Sequence, residues 1–150
     1  MTPSYYVFVA GDLYDGDRLV KAREIADTLL EHGIWLIWKR TPYQNDYQPG
    51  DRILIYLARS GKCEFIAVAE LASGPEQATR NDLDLADSLG LIGYDRKMRL
   101  RNIQHFEVGK PIRPLVEKLR FIKNKRWWGH HFRQSAMRIP EVDFERIVKG

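Results

Sequence analysis

Two apolar runs stand close together in the middle of the chain, Ile53-Leu54-Ile55-Tyr56-Leu57-Ala58 and Phe65-Ile66-Ala67-Val68-Ala69, with the short loop Arg59-Ser60-Gly61-Lys62 between them. Strands joined by so few residues pair only antiparallel, so Arg52 to Ala58 and Glu64 to Leu71 are predicted to form a hairpin. Pro49-Gly50 marks the turn that feeds it. Tyr5-Tyr6-Val7-Phe8-Val9-Ala10, closed by Gly11-Asp12, and Ile34-Trp35-Leu36-Ile37-Trp38, opened by Gly33, read as further buried strands. Tyr94 to Glu107 alternates through Met98, Leu100, Ile103 and Phe106 and makes one or two more, ended by Gly109-Lys110-Pro111. These strands are too few for a sandwich and need closure to remove their edges, which points to an α+β fold: a small mixed β-barrel with flanking helices.

Four segments supply the helices. Leu19, Ala22, Ile25, Ala26, Leu29 and Leu30 recur at helical spacing from Asp17 onward, with Asp15 or Asp17 as cap and Gly33 as stop. The acidic stretch Ser73 to Gly90 reads as a loop with a short helix near Leu83 to Leu89. Pro114 opens a helix that buries Leu115, Val116, Leu119 and Ile122, and Pro140 opens a last one that buries Val142, Phe144, Ile147 and Val148. With 150 residues, 44% hydrophobic and 29% charged, and no Ser/Gly/Pro-rich linker, the expectation is one domain over 1–150. The longest apolar stretches are far too short to span a bilayer and no leader pattern opens the chain, so a cytoplasmic protein without a membrane partner is expected. Cys63, the only cysteine, reads as a small half-buried residue opening a strand.

Charge is distributed unevenly. Asp95 to Arg133 carries twelve Lys/Arg against three acids, a net +9, while the twelve Lys/Arg and seventeen acids elsewhere leave −5. Clustered cations favour a polyanionic partner, because they neutralise phosphates with release of counterions. Within this region Lys97, Arg99, Arg101, Lys123, Lys125, Arg126, His130 and Arg133 are the candidates for nucleic-acid backbone contacts. A solvated basic face is the plainer alternative.

Catalytic equipment is missing from the sequence: there is no Gly-rich phosphate loop, no His-Glu-x-x-His, no nucleophile elbow and no paired Cys-x-x-Cys. Neither a metal nor a cofactor is expected. His130 and His131 are adjacent, and neighbours on a helix or strand point apart, which argues against shared ligation. Aromatic residues instead fall beside basic ones. Trp35, Trp38 and Tyr43 precede the Pro49-Gly50-Asp51 turn, and Trp127-Trp128 lie inside the basic run from Lys123 to Arg133. An indole face stacks on a base while a neighbouring cation binds phosphate, although tryptophans at such positions also serve simply to fill a core.

The ordered segments Gly33-Ile34-Trp35-Leu36-Ile37-Trp38, Tyr47-Gln48-Pro49-Gly50-Asp51-Arg52-Ile53-Leu54-Ile55-Tyr56, Phe65-Ile66-Ala67-Val68-Ala69-Glu70 and Trp127-Trp128-Gly129 through Arg138-Ile139-Pro140 resemble the EVE domain of the PUA-like superfamily. The resemblance implies a PUA-like barrel and, as in the related YTH, ASCH and SRA domains, a non-catalytic module that grips one extruded and often modified base. It places Trp38 first, then Trp35, as pocket wall, with Arg40 and Tyr43 on the base edge or its phosphate. Ala58, Arg59 and Ser60 would supply backbone groups at the barrel mouth, and Trp127, Trp128 and Arg126 would close the opposite side. Asp51 is read as a turn residue rather than a base reader. The implied partner is DNA or RNA carrying a modified base. Two other readings remain beside it: a small nucleotide-directed enzyme using His130 or His131 as acid or base, and a protein-interaction domain with exposed tryptophans as its hot spot.

Overall fold

In the computed structural model, which describes residues 2–58 and 62–150, the first apolar run forms strand β1 (Tyr5–Gly11). A small hairpin follows, β2 (Leu13–Asp15) and β3 (Arg18–Val20), before helix α1 (Ala22–Glu31) begins. The sequence pattern predicts helix from Asp17, and the difference has a local cause. Gly16 and Asp17 form a two-residue loop with Gly16 at φ +65°, and Tyr14 and Leu19 pair across it. That positive φ is what a tight hairpin turn requires and a helix start does not. Asp12 then caps α1 from a distance, its Oδ1 accepting the Ala22 N–H at 2.8 Å.

Strand β4 (Ile34–Ile37) comes next, and the central hairpin forms as expected from β5 (Arg52–Ala58) and β6 (Glu64–Leu71). Asp51, 4% exposed, accepts the backbone N–H groups of Ser4 and Gln48 at 3.0 and 2.9 Å, so it fastens the turn that feeds β5. The acidic stretch holds a two-residue strand, β7 (Glu76–Gln77), and helix α2 (Arg80–Ser88). The stretch Tyr94 to Glu107, predicted as one or two strands, forms a single long one from Arg96 onward, β8 (Arg96–Pro111). The segment at Pro114 forms a 3-10 helix, Arg113–Lys118, rather than a longer α-helix, and a second 3-10 helix spans Trp128–Arg133. An edge strand absent from the sequence reading, β9 (Ala136–Ile139), precedes helix α3 (Glu141–Lys149). Phe144 and Ile147 of α3 point inward as expected, but Val142 is 38% exposed.

Among the described residues the main sheet runs β4-β8-β6-β5-β1-β9, with β7 on β8. Only β1 and β5 are parallel in it. The sheet curls through β8, whose first residues pair with β4 while Leu100 to Pro111 pair with β6, so one strand wraps from one side of the sheet to the other and β4 and β9 remain its ends. Asn102, at φ +53°, sits at a register shift of the β6–β8 pairing, between Arg101 opposite Glu70 and Gln104 opposite Val68. The resulting α+β fold is a strongly curled, barrel-like mixed sheet with helices outside it.

Both faces of the sheet are covered, which is why β5 is apolar at nearly every position instead of alternating. Inside the curl, Tyr6, Phe8, Ile53, Ile55 and Leu71 meet Trp35, Met98 and the apolar side of α1. On the outer face, Val7, Leu54, Tyr56 and Phe65 pack under Leu119, Ile122, Phe132, Phe144 and Ile147 from the carboxy-terminal third. Among the described residues no helix is long and apolar enough to cross a membrane.

Candidate nucleic-acid interface

Strands β1 and β5 run side by side in register, with Gly11 opposite Ala58, so they end together. Hollows open on both faces of the sheet at that end, and two of them, one on each face, hold residues singled out in the sequence; a third, of about 430 Å³, adjoins the outer one through Cys63 and Trp128 and has Glu64 in its lining.

The larger hollow, about 390 Å³, belongs to the outer face. Its floor is an aromatic stack: Tyr56 lies on Phe132 with ring centroids 4.2 Å apart, and Phe65 meets Tyr56 edge-on at 5.0 Å. Trp127 and Trp128 form the walls, Ala58 and Cys63 the strand side, and Arg126, His130 and Arg133 the rim. Trp128 is half-buried, held edge-on against Phe132 at 6.3 Å and beneath the Arg113 guanidinium, while Trp127 is 57% exposed under Arg126. No carboxylate among the described residues lines this hollow. Volumes of about 300–1,000 Å³ are usual for sites that hold a small ligand.

The wall segment is tied down by buried groups. Leu119 and Ile122 are fully buried, and Asp143 of α3 accepts the N–H groups of Arg120 and Phe121 at 2.9 and 2.8 Å. Lys125 turns its ammonium inward, donating to the carbonyls of Val116 and Leu119, so its charge closes a 3-10 helix. Asn124 Oδ1 accepts the Trp127 N–H at 3.1 Å, and the Trp127 carbonyl accepts the His130 N–H at 3.0 Å. His131 is half-buried and accepts the Asn124 N–H through Nε2. Burial, with His130 and Lys125 nearby, lowers the pKa of His131, which keeps it neutral and suited to that acceptor role.

The smaller hollow, about 70 Å³, lies on the inner face among Phe8, Trp35, Tyr94, Thr41 and Ser135. Trp35 is 6% exposed and stacks on Phe8 at 5.8 Å. Trp38 stacks on Tyr94 at 6.4 Å; its N–H donates to Thr41 Oγ1 and its carbonyl accepts from Gln44 Nε2, which pins the turn after β4. Arg40 is exposed, and Tyr43, at φ +66°, reaches back to within 5.8 Å of the Tyr6 ring. The residues singled out in the sequence are therefore divided between two hollows: Ala58, Arg126, Trp127, Trp128, His130 and Arg133 come together in one, and Trp35 lines the other with Trp38 beside it. Arg59 and Ser60 lie outside the described residues.

The basic strand residues are engaged elsewhere. Lys97 pairs with Asp82 at 2.7 Å, both mostly buried, Arg99 with Glu76 at 2.9 Å, and Arg101 with Glu70. Lys123, Arg126 and Arg133 have no ion pair among the described residues. Nor do three or more His, Cys, Asp or Glu side chains gather there as a metal site would require.

Sequence reasoning missed Tyr56, Cys63 and Phe132. The strand period contained the signal for the first, since Tyr56 shares a face with Ala58 two residues on, and Phe132 stands one helical turn from Trp128.

Comparison with known proteins agrees with the fold. A UPF0310 protein of Pyrococcus horikoshii is 28% identical over 138 residues, covering 85% of this chain and 92% of the relative. The structure of human THYN1 protein in complex with 5-methylcytosine-containing DNA superposes with a TM-score of 0.63 at 6% identity, covering 97% of this chain and 96% of that one. The YTH domain of Zygosaccharomyces rouxii MRB1 protein, in complex with N6-methyladenosine RNA, gives 0.56 at 18% identity, covering 97% and 85%. At those identities the two structures establish the shared architecture. Residues 31–150, from the end of α1 through α3, match the EVE domain model, and the chain belongs to the EVE domain family.

Proposed function

We propose that the protein is a non-catalytic nucleic-acid reader that holds one extruded, modified base of DNA or RNA in the larger hollow. The observation that carries this reading is the lining of that hollow: two indoles over an aromatic floor, with Arg126, His130 and Arg133 at the mouth and no carboxylate among the described residues to repel phosphate. Extruding a base costs a few kcal/mol, and stacking on an aromatic side chain returns about 1–3 kcal/mol per base. The apolar surfaces of Ala58, Tyr56 and Phe132 favour a base enlarged by a methyl group. Two proteins of the same architecture were determined with methylated nucleic acid bound, which supports the ligand class.

Backbone contacts are assigned first to Lys123, Arg126, His130 and Arg133, whose charges or ring nitrogens face solvent. Arg99 and Arg101 are assigned second, because each is half-exposed and would exchange a surface carboxylate for phosphate. Arg40 and Tyr43, exposed near the smaller hollow, are assigned to the flanking strand, since 70 Å³ is too little for a base.

The test is Trp127→Ala, read by fluorescence anisotropy on short oligonucleotides with and without one methylated base. Loss of one stacking face should weaken binding about tenfold. The melting temperature should hardly move, because the side chain is 57% exposed. Equal affinity of wild type and variant for the methylated strand would remove the larger hollow as the base site.

A further inference from the structure

Tyr56, one of the residues lining the larger hollow, carries a buried hydroxyl without a hydrogen-bond partner. Tyr56 is 0% exposed and lines the hollow, yet its Oη is one of two buried side-chain polar atoms among the described residues with no hydrogen bond; the other is Tyr6 Oη. Leaving a buried hydroxyl unpaired costs about 1–3 kcal/mol, and phenylalanine would fill nearly the same space without that cost. The ring is also held in place. One face stacks on Phe132 while Phe65 meets the ring edge-on, and the pairing of β5 with β6 shifts register between Ile55 and Tyr56, an irregularity of the kind that re-aims a side chain. The neighbouring Cys63 thiol makes no hydrogen bond of ordinary geometry with it.

We propose that the Tyr56 hydroxyl reads the pairing edge of the bound base, donating a hydrogen bond to an unprotonated ring nitrogen at the bottom of the hollow. This rests on the reader assignment above and adds the class of base: one that presents an acceptor on its pairing edge. Burial first, and the Cys63 thiol second, push the phenol's pKa up, so the hydroxyl keeps its proton to donate. Stacking on Trp127 and Trp128 is shared by every base and discriminates little. A buried donor with one geometry supplies the discrimination, because a base without the matching acceptor leaves it unpaired.

The experiment compares wild type with Tyr56→Phe on short single strands that differ at one position. That position carries N6-methyladenine, its 1-deaza analogue with C–H in place of the ring nitrogen, 5-methylcytosine, its 3-deaza analogue, or an abasic site. Wild type should prefer at least one methylated base over its deaza analogue by about tenfold, and wild type that binds both pairs alike overturns the proposal. Tyr56→Phe should bind both members of that pair alike, match wild type on the abasic strand, and melt at the same temperature or higher. A variant that keeps the wild-type preference overturns the proposal, as does one that melts several degrees lower, which would give the hydroxyl a structural partner. If wild type binds the abasic strand as well as every other, base reading itself fails, and the assignment of the preceding section falls before this one.

Discussion

Asp143 is 1% exposed, and both of its carboxylate oxygens accept backbone N–H groups from the segment that carries Trp127 and Trp128. In the sequence it is one more acid in the first turn of a helix, where a carboxylate commonly sits for the sake of the dipole. Only the packed structure shows that it also anchors a loop from 22 residues upstream. Asp143→Ala should therefore destabilise the fold by about 2–3 kcal/mol, measured by urea or thermal unfolding, because two buried N–H groups lose a charged acceptor. Other residue roles divide in the same way. Arg126, Trp127, Trp128, His130 and Arg133 are consecutive enough that the sequence alone brings them to one place. Lys125, from the same run, spends its charge on carbonyl oxygens inside the fold, and nothing in its neighbours distinguishes it from Lys123 beforehand.

Elements were legible where a periodic pattern ran uninterrupted. The β5–β6 hairpin and the body of α1 follow directly from such runs, whereas Leu19 fits the helical spacing of α1 yet belongs to β3. The competing signal there was Gly16-Asp17, a two-residue hairpin loop. β9 is short and contains an exposed arginine, so its strand character comes from pairing with β1. Helix α2 was visible only as a weak segment because Ala86 is its sole buried residue. Its start is fixed by a capping box between Thr79 and Asp82, and Asp82 also meets Lys97 of β8 at 2.7 Å, which fastens helix to sheet. Those hydrogen bonds outweigh the burial of Asp82, which by itself raises the pKa, and hold its carboxyl below the usual range. The stabilisation is thus complete above the unfolded carboxylate value of about 3.9 and is lost as pH falls through the lower folded value. Asp82→Ala should lower stability at pH 7 by about 2 kcal/mol, with the difference from wild type shrinking on acidification below about pH 4.

On the scale of the molecule, the uneven charge of the chain acquires a direction. Lys97, Arg99 and Arg101 are matched by acids of neighbouring elements, whereas Arg126 and Arg133 at the hollow, and Lys123 close to them in the chain, have no ion pair among the described residues. Three phosphate contacts to a single strand predict a slope of log affinity against log salt near −2, since each neutralised phosphate contributes about −0.7. The double replacement Arg126→Gln and Arg133→Gln should flatten that slope by about 1.4 in titrations across a salt series. The same replacements in Arg99 and Arg101 should change it less, because those charges are already paired.

The sequence by itself determined an α+β fold built on a central hairpin, with the tryptophans and cations of its carboxy-terminal third gathered on one short segment. Those are local properties: turn chemistry, periodicity and proximity along the chain. The tertiary structure alone decided that β1 and β5 end together, that Tyr56 and Phe132 meet beneath the indoles, and that Trp35 and Trp38 lie on the far face of the sheet. Which face a strand residue presents, and to what, depends on how a curled sheet pairs residues from distant parts of the chain, and no local pattern encodes that pairing.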